Sequence, residues 1–168
     1  MKRFYLFVLL VTAVLTGCQS TDNTAALAQE AVPQETYNLS EQEVLEKVAP
    51  YLDNFEYQNP EKYDSVNDFY KANLGLDESL IDSAVLYMGA PNNNTGYFLM
   101  LTKKPQTDTA LIQEKLTDIS VGWIKTAEQG YLEGNRDFAT IQKGNVFFLV
   151  SHYDPEKYTE LVSLLENL

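Results

Sequence analysis

Residues 145–153 read NVFFLVSHY, the most apolar stretch of the chain beyond its first eighteen residues. The five consecutive apolar residues at 146–150 leave no polar face for water, so they predict a strand that is central or well covered. Residues 137–142 precede this strand across Lys143-Gly144, which is a turn signal between two β-prone runs. The two runs therefore predict a hairpin whose second strand is buried.

An amphipathic helix is expected directly after this hairpin. Asp154-Pro155-Glu156 has the residues of a helix start, with a side-chain acceptor at the cap, proline at the first position and an acid in the first turn. Apolar residues then recur at helical spacing and form one stripe, which consists of Tyr158, Leu161, Val162, Leu165 and Leu168.

The order strand, strand, helix is also predicted upstream. Residues 81–88 and 97–102 are short apolar runs separated by turn residues, and they predict a second hairpin. After Pro105, apolar residues at helical spacing from Leu111 to Ala127 predict a long amphipathic helix that ends near Gly130.

Two shorter helices are expected before the first hairpin. Ser40 followed by Glu43 is a capping-box pattern, and Pro50 should kink or end the first helix. Residues 56–64 (EYQNPEKYD) are polar and predict a loop. Residues 65–73 predict a second helix that ends before Gly75. The side chains expected to face inward from this second helix are Val66, Phe69 and Tyr70.

These elements predict one globular α+β domain over residues 39–168. The order is helix-helix-strand-strand-helix-strand-strand-helix. The two hairpins give about four strands in one antiparallel sheet, and the amphipathic helices are expected to cover one face of it. The order of the strands within the sheet stays open.

The N-terminus has the features of an export signal. Lys2 and Arg3 precede an apolar run at 4–16, which is shorter than the roughly 20 residues of a transmembrane helix. The run ends in Leu15-Thr16-Gly17-Cys18, which resembles the lipobox of bacterial lipoproteins. The resemblance implies that residues 1–17 are a signal peptide cleaved before Cys18, that the Cys18 thiol is acylated, and that the protein is anchored at the outer face of the cytoplasmic membrane. The alternative is an ordinary signal peptide that contains a cysteine.

Charge and cysteine content exclude several classes of partner. Cys18 is the only cysteine, so the domain can form neither an internal disulfide nor a cysteine-based metal site. Loss of residues 1–17 removes two of the 12 basic residues and none of the 24 acids, so the net charge falls from −12 to −14. Such a chain is repelled by phosphate backbones, which argues against nucleic acid as a partner. Residues 18–38 are mostly small or polar and predict a flexible tether.

Several segments between residues 66 and 168 carry a family resemblance. They are 69–70 (FY) with 74–77 (LGLD), 84–88 (AVLYM), 131–133 (YLE) after the long helix, and 143–150 (KGNVFFLV). In these segments the chain resembles the bacterial lipoprotein family labelled domain of unknown function 4358. The resemblance implies a small cell-surface lipoprotein and contributes no catalytic residue, because the family has no established activity. Members often have a glutamate where this chain has Gly96-Tyr97.

No motif predicts catalysis or a cofactor. His152 and Asp154 are two residues apart, which makes a carboxylate–imidazole pair conceivable, but no G-x-S-x-G nucleophile pattern is present. The alternative is a strand-end histidine beside a helix-capping aspartate. The acids at 64 and 68, or at 77, 78 and 82, could cluster, but they lack the ligand spacing of a calcium loop. No catalytic residue, metal or cofactor is therefore predicted.

The tyrosines provide the candidate contact surface. The chain has 11 tyrosines, and such side chains are common at binding surfaces because they offer large contact area at low entropic cost. The five that fall in or near predicted loops are Tyr51, Tyr57, Tyr63, Tyr70 and Tyr131. The alternative is that these rings fill the seams between helices and sheet.

Three functions are compatible with these features. The leading hypothesis is a lipid-anchored, extracytoplasmic, non-catalytic domain that binds a protein or an envelope component. The first alternative is a surface hydrolase that uses dispersed carboxylates, which would need two acids in one cleft, one of them with a raised pKa. The second is a small solute-binding module, which would need an enclosed pocket.

Overall fold

The computed structural model describes residues 40–89, 96–126 and 137–168. The predicted signal peptide, the tether, Cys18 and Tyr131 lie outside these residues. The helices are α1 (Glu41–Val48), α2 (Val66–Leu74), α3 (Thr109–Thr126) and α4 (Pro155–Glu166), and two short 3-10 helices span Ala49–Tyr51 and Pro60–Lys62. The strands are β1 (Phe55–Tyr57), β2 (Ile81–Gly89), β3 (Tyr97–Lys103), β4 (Ala139–Lys143) and β5 (Val146–Ser151). The predicted α+β class is confirmed.

All strand pairs in the sheet are antiparallel, and the strand order is β1-β2-β3-β5-β4. The two predicted hairpins are β2–β3 and β4–β5. Strand β5 lies between β3 and β4, and its residues from Phe147 to Val150 are fully buried. The prediction that the run at 146–150 forms a well-covered strand is therefore confirmed.

Helices cover both faces of the sheet, so the expectation of one covered face is wrong. On one face, α2 and α3 pack against a cluster that includes Leu99, Leu101 and Leu149. On the other face, α1 and α4 pack against a cluster that includes Phe98 and Phe148. The reason is the alternation of side chains along a strand, because a continuous apolar run supplies two apolar faces and each needs cover.

The stretch at 56–64, predicted to be a loop, contributes to a fifth strand. Residues 55–57 pair with the end of β2 in the register Phe55–Gly89, Glu56–Met88 and Tyr57–Tyr87. The ring of Phe55 extends along the sheet to Gly96 of the loop before β3, and it stacks on His152 with 5.5 Å between ring centroids. A three-residue strand shows too little alternation to be recognised from sequence, and its pairing with β2 defines it.

Helix ends match the sequence signals. Ser40 and Glu43 form the predicted capping box of α1, since each side chain accepts a hydrogen bond from the other residue's backbone N–H. The Asp154 carboxylate caps α4 by accepting from the N–H groups of Glu156 and Lys157. These caps satisfy N–H groups that have no partner within the helix.

Candidate functional site

A groove lies beside β2, between α2 and the segment that leads into β2. Its volume is about 470 Å³ and it opens to solvent. Helix α2 contributes Val66 and Tyr70, the segment Asp77–Ser79 and the strand start Ile81–Asp82 form the opposite wall, and Lys104 follows β3. We call this feature the α2–β2 groove. It combines apolar surface with carboxylates.

Short-range signals set the two ends of α2. Ser65 caps the helix, since its hydroxyl accepts a hydrogen bond from the N–H of Asp68. Gly75 ends the helix with φ of +62°, a left-handed conformation that glycine adopts without steric cost, and its N–H donates to the Lys71 carbonyl. These caps define the first and last residues of α2, so the turn at 77–80 follows the helix after a short connection.

The turn at 77–80 is held in place by its own backbone and by α2. The Asp77 carboxylate accepts a hydrogen bond from the Ser79 N–H at 2.9 Å, and the Asp77 carbonyl accepts one from the Leu80 N–H at 2.9 Å. The Glu78 N–H donates to the Asn67 side chain at 3.0 Å, which ties the turn to the helix. The wall of the groove is therefore anchored to α2.

A buried lysine takes part in the hydrogen bonds that hold the segments around the groove. Lys103 is 1% exposed, and its Nζ donates to the Thr107 carbonyl at 3.0 Å. The Thr107 hydroxyl donates in turn to the Leu80 carbonyl at 2.8 Å. This chain of hydrogen bonds joins the loop after β3 to the turn at 77–80, so both segments that border the groove have a fixed position.

The acids of the groove differ in their partners. Asp77 forms an ion pair with Lys71, with 3.1 Å between Oδ2 and Nζ. Hydrogen bonds from the backbone and side chain of Ser79, together with Lys71, lower the pKa of Asp77 to about 2. In the part of the chain that the structure describes, no ion pair or side-chain hydrogen bond involves the carboxylates of Glu78 or Asp82. These two carboxylates are available to a ligand.

Tyr70 connects the groove to the edge of the sheet. Its side chain is buried, and its hydroxyl is hydrogen-bonded to the backbone of Ala84 in β2. Desolvation raises the pKa of Tyr70, and the bond to Ala84 acts in the opposite direction. Among the described residues, no strand pairs with the outer edge of β2 from Ile81 to Val85, because β1 covers only the other end of β2.

The tyrosines predicted to form a contact surface occupy different environments. Tyr57 is 46% exposed, and its ring lies 5.3 Å from that of Tyr87. Tyr51 and Tyr63 are half-buried and pack against opposite faces of the sheet. Tyr70 is the only one of the described members that lines the α2–β2 groove. Tyr131 lies outside the described residues, so the structure does not bring these five side chains together.

Val66 was expected to face inward, and this expectation is wrong. The side chain is 48% exposed at the first position of α2, where no preceding turn covers it. Sequence reasoning also missed Lys104 as part of the groove. The one available signal for Val66 was its place directly after the capping residue Ser65.

His152 is enclosed by aromatic rings and backbone groups. Its Nδ1 accepts a hydrogen bond from the Asp154 N–H at 3.0 Å, while the Asp154 carboxylate caps α4. The ring stacks on Phe55 and Tyr153. Desolvation, assisted by Lys157, lowers the pKa of His152 below its usual 6.5. The Asp154 carboxylate therefore serves the helix and does not orient the imidazole as in a catalytic pair.

The acids noted as possible calcium ligands include side chains with structural roles. Asp68 accepts a hydrogen bond from the Ser65 hydroxyl at 2.7 Å, as part of the start of α2. Among the described residues, no group of three His, Cys, Asp or Glu side chains has the arrangement to hold a metal ion.

Comparison with protein families gives one match, at the N-terminus. Residues 1–19 match the family described as the prokaryotic membrane lipoprotein lipid attachment site. The chain carries the signal of a bacterial lipoprotein. It is accordingly a membrane-anchored, extracytoplasmic protein. In the described residues, no helix is both long and apolar enough to cross a membrane.

The match ends at residue 19 and contains no information about the folded domain. The resemblance of residues 66–168 to the domain of unknown function 4358 therefore stays a prediction. Comparison with curated proteins and with solved structures gives no significant match.

Proposed function

We propose that this lipoprotein is a non-catalytic domain that binds a protein or another envelope component through the α2–β2 groove. The observation that carries the proposal is the half-exposed Val66 beside Tyr70, in a groove where Glu78 and Asp82 have carboxylates without partners among the described residues. Apolar surface next to available polar groups is the composition of a binding site, because the apolar part supplies affinity and the polar part supplies specificity.

The anchor in this proposal is the lipid on Cys18 at the outer face of the cytoplasmic membrane. Residues 1–17 are the signal peptide, residues 18–38 the tether, and residues 39–168 the single folded domain. A flexible chain of this length has a root-mean-square reach of about 25 Å. The domain can therefore search a volume beside the membrane. The proposed relatives are the members of the family labelled domain of unknown function 4358.

The tyrosine surface of this proposal is smaller than the set of five. Tyr70 contributes its ring to the groove, and the exposed Tyr57 of edge strand β1 forms a second candidate contact together with Tyr87 of β2. Tyr51 and Tyr63 contribute mainly through packing, because both are half-buried. Tyr131 remains a candidate on sequence grounds.

The two alternative functions have weaker support. A hydrolase needs a carboxyl group with a raised pKa, whereas hydrogen bonds from Ser40 and Ser79 lower the pKa values of Glu43 and Asp77 among the described residues. A solute-binding module needs an enclosed pocket, whereas the groove opens to solvent.

The test is a co-purification with a matched pair of variants. Val66→Glu places a charge in the groove at the first helical position, where an acid is favourable to the helix. Val121→Glu makes the same change at a 41% exposed valine on α3, which does not line the groove. The lipidated protein is purified from its own envelope in mild detergent, and co-purifying components are quantified.

The proposal predicts a component that is retained by the wild type and by Val121→Glu and is lost from Val66→Glu. A component that is retained equally by all three proteins would place the binding surface elsewhere. The absence of any enriched component, together with turnover of a substrate by the purified protein, would refute a binding function.

A further inference from the structure

Strand β4 forms one edge of the sheet, and its register gives each backbone group a direction. Just before β5, the Asn145 carbonyl accepts a hydrogen bond from the Lys103 N–H of β3 at 2.9 Å, so odd-numbered residues of β5 face β3 and even-numbered ones face β4. The register places these even-numbered residues opposite the odd-numbered residues of β4. The N–H and C=O groups of Thr140 and Gln142 therefore point away from the sheet.

These outward groups are open to a partner. Thr140 and Gln142 are exposed, and within residues 40–89, 96–126 and 137–168 no hydrogen bond reaches their outward N–H or C=O. β4 has no proline, acid or bulge, which are features that keep edge strands from pairing. Its one charge, on Lys143, is at the last position, where Nζ donates to the Glu166 carbonyl at 2.6 Å. The opposite edge is protected, because β1 has only three residues and Pro60 follows it.

Helix α3 presents uncharged side chains beside this edge. The Gln113 amide donates to the Gln142 side chain at 3.2 Å, which places that flank of α3 next to β4. Thr117 and Ser120 follow at helical spacing on the same flank. The acids of α3, at 114 and 118, lie on other stripes of the helix.

Helix α4 continues the uncharged surface on the other face of the sheet. Burial and then the charge of Asp137 raise the pKa of Tyr158, so the start of α4 lies near the start of β4. Tyr158 and Val162 are half-buried and one helical turn apart, so their exposed parts form an apolar strip beside β4. Interface cores are depleted in charged residues. In a chain of net charge −12, this surface is where a second copy meets little repulsion.

From these observations we infer that β4 pairs antiparallel with β4 of a second copy, so that one sheet runs through both molecules. A register centred on Ile141 places Thr140 opposite Gln142 of the other copy, and each such pair exchanges both of its backbone hydrogen bonds. The Lys143 end of one strand then lies beside the Asp137 end of the other, which makes the end charges complementary. This inference is independent of the α2–β2 groove.

The tethers are compatible with this arrangement. Antiparallel pairing of two identical strands has a two-fold axis perpendicular to the sheet, so each face of the sheet continues in the second copy. Helix α1, which follows the tether, packs on the same face as α4. Both tethers therefore start on one face of the dimer, and both lipids can enter one membrane. Two anchors in one assembly strengthen membrane attachment through avidity.

Disulfide trapping in the bacterial membrane tests the pairing and its register. Cys18 is the only natural cysteine, and its thiol carries the lipid in the proposed protein. Thr140→Cys and Gln142→Cys are co-expressed on separate chains with tags of different size. Mixed pairs place the two cysteines opposite each other, with Cα atoms about 5.5 Å apart, whereas like pairs place them diagonally at about 7–8 Å. Disulfides span about 4.4–6.8 Å between Cα atoms, so only mixed pairs have suitable geometry.

We expect mixed cross-linked dimers to exceed all like dimers together by at least about fivefold, because random collisions would give equal amounts. The control pair is Gln42→Cys with Glu46→Cys, two exposed positions on α1, which should show no such excess. Equal amounts of mixed and like dimers at β4, or no dimer at all, would overturn the inference.

A backbone change tests whether strand pairing holds the copies together. Thr140→Pro removes the outward N–H and leaves the bonds to β5, while Thr140→Val keeps that N–H. Sedimentation of the mature lipidated protein in uncharged detergent should give dimers for the wild type and Thr140→Val. For Thr140→Pro, we expect the dissociation constant to rise at least about tenfold, since each copy loses one hydrogen bond. Urea denaturation verifies that this variant is folded.

Three outcomes would contradict the pairing and leave the α2–β2 groove untouched. An unchanged dimer in folded Thr140→Pro would place the interface elsewhere. Cross-linking of the introduced cysteines to a different protein would identify another occupant of the β4 edge. Dimers that form only after residues 19–38 are replaced by a glycine-serine tether would show that the tether occupies this edge in the natural protein.

Discussion

Gly96→Ala tests how edge strand β1 is held on the sheet. A Cβ atom built on Gly96 would lie 1.8, 2.2 and 2.8 Å from three ring carbons of Phe55. Carbon atoms in contact are normally about 3.5–4.0 Å apart, so the Phe55 ring would have to move by about 2 Å. Because β1 has three residues and one neighbouring strand, the movement displaces the strand as well as the side chain.

The cost can be worked from two contributions. Overpacking of a close contact costs about 1–3 kcal/mol. Loss of the stack between Phe55 and His152, whose ring centroids are 5.5 Å apart, costs about 0.5–1.5 kcal/mol. The two contributions do not add in full, because a Phe55 ring that moves away relieves the clash and loses the stack at the same time. We therefore expect a decrease of about 2–3 kcal/mol in the free energy of unfolding. This is a large share of the roughly 5–15 kcal/mol of a typical domain.

Urea denaturation of four proteins isolates the contact. Phe55→Ala removes the ring, so Gly96→Ala in that background should cost less than about 0.5 kcal/mol, and the difference is the coupling between the two sites. Gly122→Ala is the matched control, because the added Cβ would meet nothing within 4 Å beyond the neighbouring backbone of its own helix, and alanine favours the helix by about 0.5–1 kcal/mol. If Gly96→Ala costs the same with and without the Phe55 ring, the reasoning is refuted.

Three other perturbations have defined outcomes. Phe148 is fully buried in β5, so Phe148→Ala should lower the free energy of unfolding by about 3–5 kcal/mol, and a urea titration showing less than about 1 kcal/mol would contradict its burial. Burial lowers the pKa of His152, so the folded state favours the neutral ring. The contribution of this residue to the free energy of unfolding is complete above about pH 6.5. It is lost as the pH falls toward the lowered pKa, by up to about 1.4 kcal/mol per pH unit. His152→Asn should reduce that slope in unfolding measured from pH 8 to 5, and an unchanged slope would assign it to other groups. Cys18→Ala should leave an unprocessed precursor without fatty-acid label in metabolic labelling, whereas persistent label would place the lipid elsewhere.

The element order was predictable from sequence, whereas the layering was predicted wrongly. The capping signals at Ser40 and Asp154 located helix starts, because a cap is an interaction between residues two or three positions apart. The run at 146–150 also contained the information that two faces need cover, since its side chains alternate. The expectation that helices cover only one face of the sheet was therefore inconsistent with the apolar run at 146–150. What the sequence withholds is which helix covers which face.

The groove was harder to predict than the fold. It brings together residues near 66–70, 77–82 and 104, and no local pattern connects these three segments. The acids at 77, 78 and 82 were noticed as a group, but only the structure separates Asp77, which pairs with Lys71, from Glu78 and Asp82. The tyrosine content indicated a contact surface, although some of these rings pack within the domain, as Tyr63 does against Phe69 with 5.3 Å between ring centroids.

The groove exists because several elements end around it. Helix α2 ends at Gly75, β1 ends before Pro60, and β2 begins with the bulge at Asp82. Each of these endings has a local chemical cause: a left-handed glycine, a missing N–H and an unpaired residue. Such residues were visible in the sequence as signals that interrupt structure. Where these interruptions adjoin, the space between α2 and the start of β2 stays open to solvent, and this space is the α2–β2 groove.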